Sequence, residues 1–342
     1  MGDIIRWGVL GTGKIAKKFA RDLALVKNAT CAAVGSRSQE SADAFAREFA
    51  FARAHGSYAA LAGDAAVDAV YIATPHTLHA ENTIMMLNAG KAVLCEKPFA
   101  VNSAEAVRMC AAAKKKKCFL MEAMWSRFMP ALIKAKALID DGAIGEVRML
   151  SADFGYRSKF APEERHFNPA LAGGALLDVG IYPVWLSHFL LGAPKKIAAM
   201  GHRGTTHVDE MNALLFTHGS GAISVLHSAI RAVTIHEAFI SGTNAELRLH
   251  APWWRTSALS LLNDGKVLET WELPPVGIGY SHEIEHVNEC LRSGKTESDM
   301  HSLADTRAVA KTLDRVRTLL GVRYPADGKK PYILKRARAT DE

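Results

Sequence analysis

Apolar residues fall along this chain in two regimes. From residue 4 to about 123, short apolar runs alternate with stretches of helical spacing. Ile4 to Leu10 is an apolar run, and behind it Ile15, Phe19, Leu23 and Val26 recur three or four residues apart. The alternation continues with a strand over Thr30 to Val34, a helix over Ser41 to Phe49 and a strand over Asp68 to Ala73. A helix over Glu81 to Asn88 closed by Gly90, a strand over Ala92 to Cys95, a helix over Ser103 to Lys117 and a strand over Cys118 to Ala123 complete it. Strands and helices in this order predict a doubly wound parallel sheet.

Past this point the pattern changes. Pro130 to Ile139 reads as an amphipathic helix closed near Gly142. From Gly145 the period shortens to two: Val147, Met149, Ser151, Asp153 and Gly155 alternate with Arg148, Leu150, Ala152, Phe154 and Tyr156. Further strand-like runs at Met211–Thr217, Ala222–Ile230, His236–Ser241 and Glu246–His250, several joined by glycine-containing turns, predict an antiparallel sheet. Ala172 to His188 is mostly apolar and predicts a buried helix, with Asp178 and Tyr182 four apart on one face. The fold class expected is an α/β Rossmann N-terminal domain over residues 1–123 and an α+β C-terminal domain over 124–332. A basic tail follows at 333–342.

Composition narrows the classes. With 342 residues, 49% of them apolar, the chain is ample for two cored domains. No apolar run is expected to cross a bilayer, and the start runs directly into a strand, so no signal peptide and a cytoplasmic protein are expected. Five cysteines, odd in number and without motif spacing, read as reduced core residues. The net charge of +7 is carried largely by Lys114–Lys117 and by Lys329 to Arg338. Neither run has the interleaved aromatics of a nucleic-acid module, so no nucleic acid is expected, while a basic surface favours an anionic cofactor.

The chemistry clusters at the ends of the predicted parallel strands, where ligands of such sheets bind. Gly11-Thr-Gly-Lys-Ile-Ala16 sits between strand and helix, as a dinucleotide fingerprint requires. Gly11 allows the turn, Gly13 lets the backbone approach a pyrophosphate, and the amides around Thr12, Lys14 and Ile15 face its charge. The second strand ends in Ser36-Arg37-Ser38, with no Asp or Glu to hold a ribose 2′-hydroxyl. A guanidinium and two hydroxyls suit a 2′-phosphate, so NADP is expected, with NAD as the alternative. Thr74, Pro75, His76 and His79 follow the Asp68–Ala73 strand and would line a nicotinamide pocket. Glu96 and Lys97 end the Ala92–Cys95 strand, and Pro98 stops it. A lysine in such a corner is either ion-paired to Glu96 or partly desolvated and usable in proton transfer.

One pattern competes. Ser281-His-Glu-Ile-Glu-His286 matches the metalloprotease form H-E-x-x-H, with Glu289 and His301 as third-ligand candidates. It begins where a helix start is expected, and Ser281, Glu283 and Glu285 are residue types of a cap and first turn. No metal centre is expected from it.

Together, Gly11-x-Gly-x-x-Ala16, Ala73-Thr-Pro-His76, Glu96-Lys-Pro98 and Gly173-Gly-Ala-Leu-Leu-Asp-x-Gly-x-Tyr182 resemble the glucose–fructose oxidoreductase/inositol dehydrogenase (Gfo/Idh/MocA) family over nearly the whole chain. Glu122-Ala-Met-Trp-Ser-Arg-Phe128 and Tyr182 are most similar to its dimeric dihydrodiol dehydrogenase and D-xylose dehydrogenase branch. The resemblance implies an open, mostly antiparallel second sheet whose outer face packs on another subunit, giving a homodimer or dimer-based tetramer. It implies Lys97 and Tyr182 as proton-transfer groups and Asp178 as the substrate-holding carboxylate. Trp125, Arg127, Phe154 and Trp254 become candidate substrate contacts. The expected activity is NADP(H)-dependent hydride transfer with a cyclic polyol, an aldose or a trans-dihydrodiol, Tyr182 taking the proton with Lys97 beside it. A keto-sugar reductase and a non-catalytic NADP-binding sensor are the alternatives.

Overall fold

The computed structural model describes residues 4–328, so the basic run at 333–342 lies outside the described residues. The first sheet is built from β1 (Ile5–Leu10), β2 (Ala29–Gly35), β3 (Arg53–His55), β4 (Ala69–Ile72), β5 (Ala92–Glu96) and β6 (Leu120–Ala123). Its order is β3-β2-β1-β4-β5-β6 and every pairing is parallel. The order reverses between β1 and β4, which opens a crevice beyond their carboxyl ends. The crossovers are α1 (Lys14–Leu23), α2 (Gln39–Phe49), α3 (Tyr58–Ala62), α4 (His79–Asn88) and α5 (Ser103–Lys116). Strand β3 and helix α3 are too short to carry a periodic signal and were not expected. β4 and β5 are buried along their whole length, as strands covered on both faces must be.

Helix α6 (Pro130–Asp140) leads into the second sheet. Its strands are β7 (Val147–Gly155), β8 (Lys196–Arg203), β9 (Asp209–Thr217), β10 (Ile223–Ala229), β11 (Ala238–Gly242), β12 (Glu246–Leu249), β13 (Ala258–Asn263) and β14 (Lys266–Glu272). The order is β14-β13-β12-β11-β7-β10-β9-β8, antiparallel except for the β7–β10 pair. Burial alternates along β9, where Asn212, Leu214 and Phe216 point inward and Met211 and Leu215 outward. Met149, Met200, Met211, Leu215 and Ile223 thus stand exposed on this sheet's outer face. β8, β13 and β14 had no place in the sequence reading: β8 and β14 are exposed over much of their length without a clean polar alternation, and β13 is mostly buried without one.

Residues Leu176–Gly180 form a π-helical turn that continues into α7 (Ile181–Leu191). The helical run Pro169–Leu191 has the length and mean hydropathy, 1.4, of a membrane span, contrary to the expectation of no such run. Its most apolar window is 78% buried against the rest of the protein, which accounts for its composition as a core helix. Two last helices, α8 (Tyr280–Arg292) and α9 (Leu303–Leu320), return to the first sheet's helical layer. The α8 start is not capped by Ser281 as expected. Its N-cap is Gly279, and the Asp22 carboxylate of α1 accepts the N–H groups of Ile278, Gly279, Tyr280 and Ser281 at 2.8–3.3 Å. Trp7 of β1 donates its indole N–H to Asn288 of α8 at 2.9 Å.

Candidate active site

A cavity of about 790 Å³ opens beyond the ends of β1, β2, β4 and β5. Gly11, Thr12, Gly13, Lys14, Ile15, Ser36, Arg37, Thr74, Pro75, His76, His79, Glu96, Lys97 and Asp178, all anticipated from sequence, line it. Gly11 has φ +103°, and a Cβ there would lie 2.8 Å from the Ala73 carbonyl oxygen, so only glycine fits the crossing of the β1 and β4 ends. A Cβ at Gly13 would meet nothing within 4 Å, and Gly13 caps α1 without any side-chain hydrogen bond. The helix therefore offers unspent amides to an approaching anion, which is what a dinucleotide pyrophosphate needs. Lys18 and Tyr58 add to the same wall. Ser38 does not line the cavity. It caps α2, accepting the Ser41 N–H at 3.3 Å, because a serine ahead of a helix is spent on its first turn.

The other end is built from side chains. Lys97 ends the β5 corner, its ammonium donating to the Asp178 carbonyl oxygen at 2.7 Å, 3.8 Å from the Asp178 carboxylate and 4.9 Å above the Tyr182 ring. Burial lowers its pKa, an effect that the charges of Asp178 and Glu96 offset in part. Burial works on Asp178 in the opposite sense, but Lys97 and Arg165 outweigh it and hold the carboxylate below its ordinary range. Tyr156 donates to Asp178 at 2.6 Å, and both terminal nitrogens of Arg165 reach it at 3.1 and 3.3 Å. His166 stands 3.8 Å away.

Tyr182 is pushed well above its ordinary value by burial and by Glu96, while the Trp125 indole N–H, donating to the phenol oxygen at 2.9 Å, pulls the other way. Trp125 is thus a donor to Tyr182 as well as an aromatic wall. It also stacks on Tyr280 at 4.8 Å. Phe154 and Trp254 stack face to face, and both approach Tyr182, at 5.4 and 6.4 Å between ring centroids. Trp253 faces elsewhere, fully buried, its indole donating to the Asp153 carbonyl at 2.7 Å. Trp125 and Trp254 border a second, smaller cavity of about 240 Å³ with Arg255, Ile278 and Tyr280.

Two expected contacts have other roles. Arg127 lines neither cavity. Its Nε donates to the Met300 carbonyl at 2.9 Å and its guanidinium lies 4.3 Å over Phe189, so it braces the crossover. His79 borders the cavity, yet its buried ring nitrogens sit 2.8 and 2.9 Å from the Pro98 and Thr74 carbonyl oxygens. It ties the β4 corner to the β5 corner. Glu96 is turned inward to accept the Tyr71 hydroxyl and the Lys97 backbone N–H, and burial pushes its carboxyl up to about 7.

Tyr156, Arg165 and His166 were missed. For Tyr156 a signal existed, since it shares the strand face of Phe154. Arg165 and His166 sit in an aperiodic loop, and nothing short of the fold brings them to Asp178. The metalloprotease pattern does not assemble as such: His282 accepts the Val276 N–H at 3.2 Å, and the Glu283 side chain is fully buried with no partner among the described residues.

Comparison with known proteins agrees with this layout. The family model described as "Oxidoreductase family, NAD-binding Rossmann fold" matches residues 5–124, and the "GFO/IDH/MocA C-terminal domain" matches 132–248. The trans-1,2-dihydrobenzene-1,2-diol dehydrogenases of Mus musculus and Homo sapiens are each 36% identical to the chain, covering 94% of it and 99% of their own length. Among solved structures, an aldose-aldose oxidoreductase from Caulobacter crescentus complexed with glycerol superposes with a TM-score of 0.85 at 26% identity, covering 92% of this chain and 97% of its own. A 3-ketoreductase from Actinomadura kijaniata in complex with NADP and TDP-benzene gives 0.83 at 27%, covering 93% and 98%.

Proposed function

The chain belongs to the Gfo/Idh/MocA oxidoreductase family, and on that premise we propose that it moves hydride between NADP(H) and a ring hydroxyl of a cyclic polyol, an aldose or a trans-dihydrodiol. The observation that carries this reading is Lys97 held against Asp178 and over Tyr182 at the inner end of a cavity whose outer end is a pyrophosphate cradle. Gly11, Gly13 and the α1 start would hold the dinucleotide, with Ser36 and Arg37 at its 2′-phosphate. When bound, that group supplies the hydride acceptor or donor.

The protein's own residues handle the proton. Burial makes Lys97 easier to deprotonate and Tyr182 harder, so Lys97 is the base toward the substrate hydroxyl and Tyr182 a hydrogen-bond donor that stays protonated. Asp178, locked by Tyr156 and Arg165, keeps the Lys97 ammonium in place once it forms. Phe154, expected as a substrate contact, lines neither cavity and backs Trp254, whose ring borders the smaller cavity and would suit a pyranose and a cyclohexadiene equally. The exposed apolar residues on the outer face of the second sheet support a homodimer through that face.

The test is nicotinamide reduction with NADP⁺ and NAD⁺ against aldoses and trans-dihydrodiols, with keto-sugar reduction by NADPH as the reverse arm. Turnover is expected to prefer NADP⁺, and Arg37→Ala to erase that preference. Lys97→Met should lower kcat by roughly 10²–10⁴ while NADPH still binds. NADPH binding with no turnover in either direction would overturn the catalytic reading and favour a sensor.

A further inference from the structure

We propose that His286, Cys290 and Asp299 form a binding site for a borderline-soft divalent cation of the zinc class, separate from the hydride-transfer cavity. His286 and Cys290 stand four apart on the same face of α8, and Asp299 comes from the loop that follows. One ligand atom from each lies within 4.8 Å of the other two. The Cys290 sulfur is 3.4 Å from His286 Nε2, and Asp299 Oδ1 is 3.9 Å from the same nitrogen. A tetrahedral zinc centre, with Zn–N near 2.0 Å and Zn–S near 2.3 Å, separates nitrogen and sulfur by about 3.5 Å. The two helical ligands are thus already spaced for the metal, the carboxylate has to close in, and Ser298 has to release the imidazole.

The hydrogen bonding fixes the protonation of the imidazole. Ser298 Oγ accepts the backbone N–H groups of Met300 and His301, at 3.1 and 2.9 Å. Its own proton is left to donate to His286 Nε2 at 2.7 Å. Nε2 is therefore the unprotonated nitrogen, the form in which histidine binds metals, and its one lone pair reaches a cation once the Ser298 hydroxyl turns its proton away. The Phe128 ring packs against the imidazole at 4.9 Å and holds its plane. Asp299 is 64% exposed and engaged by Lys295 at 2.7 Å, itself 44% exposed, so both side chains are free to swing and let the carboxylate reach the cation. A nitrogen–sulfur–carboxylate set selects zinc-class ions over magnesium or calcium, which demand oxygen. It is not the metalloprotease pattern, whose His282 is spent on Val276 and whose Glu283 lies buried.

Cobalt(II) is the probe, titrated into the full chain and competed with zinc. One equivalent should bind with a sulfur-to-cobalt charge-transfer band, displaced by zinc and unaffected by excess magnesium. Cys290→Ser should abolish the band. Asp299→Asn, a surface change that leaves the fold intact, should weaken binding at least about tenfold, since the loss of even an outer partner costs that much. His282→Ala should change nothing. No band, a band that survives Cys290→Ser, or loss of binding in His282→Ala would overturn the site. The readout is metal binding, so it stands or falls independently of turnover.

Discussion

At the glycine-turn end of the cavity the groups on offer are mostly backbone: the turn at Gly11, the open approach at Gly13 and the uncapped start of α1. At the Lys97 end they are side chains from the β5 corner, the end of β7, the 165–166 loop, the π-helical turn and the segment around Trp125. The first end is encoded in six consecutive residues. The second exists only when segments 81 residues apart, as Lys97 and Asp178 are, have met. The difference lies in what each end can tolerate. A backbone cradle fails when a Cβ intrudes, whereas a side-chain constellation fails by degrees as its supports are removed.

Three experiments sharpen that contrast. The largest effect is expected for Gly11→Val, which places a β-branched side chain at φ +103° and against the Ala73 carbonyl. Backbone strain of this kind should weaken NADPH binding by roughly 100-fold, read by cofactor fluorescence. Binding within a few-fold of the parent would mean the cradle is not the nucleotide site. Next comes Trp125→Phe, which keeps an aromatic ring against Tyr280 but deletes the N–H donated to Tyr182. A loss of about three- to tenfold in kcat is expected, the worth of one hydrogen bond, with KM little changed. A change confined to KM would make Trp125 only a pocket wall.

The smallest effect concerns stability rather than turnover. Glu96 is raised from 4.5 to about 7 by burial, so the folded state binds its proton more tightly than the unfolded chain does. Its contribution is full below pH 4.5 and is lost as pH rises through about 7. Glu96→Gln should flatten the fall of Tm across that window. An unchanged pH slope would show that Glu96 does not titrate there.

The Lys97 constellation and the proposed metal site differ in the same way. His286 and Cys290 are adjacent on one helical turn and could be paired from spacing alone. The sequence pattern drew attention instead to His282 and Glu283, which share the helix but are spent on Val276 and on burial.

Sequence by itself determined the alternation of β1, β2, β4, β5 and β6 with α1, α2, α4 and α5, the glycine turn, the Glu96-Lys97-Pro98 corner and the buried helix carrying Asp178 and Tyr182. Each rests on periodicity or on a residue type that a local conformation requires, and both act over a few residues. It could not determine that Ser38 is spent on a helix cap or that Arg127 reaches Met300. Nor could it show that Trp125 donates to Tyr182, or that Tyr156 and Arg165 lock Asp178. Those roles depend on which atoms lie within about 3 Å across the fold, a range at which hydrogen bonds and charge pairs act. The direction in which Lys97 and Tyr182 shift was likewise decided by the tertiary structure, because burial, the largest influence on both, is a property of the packed chain.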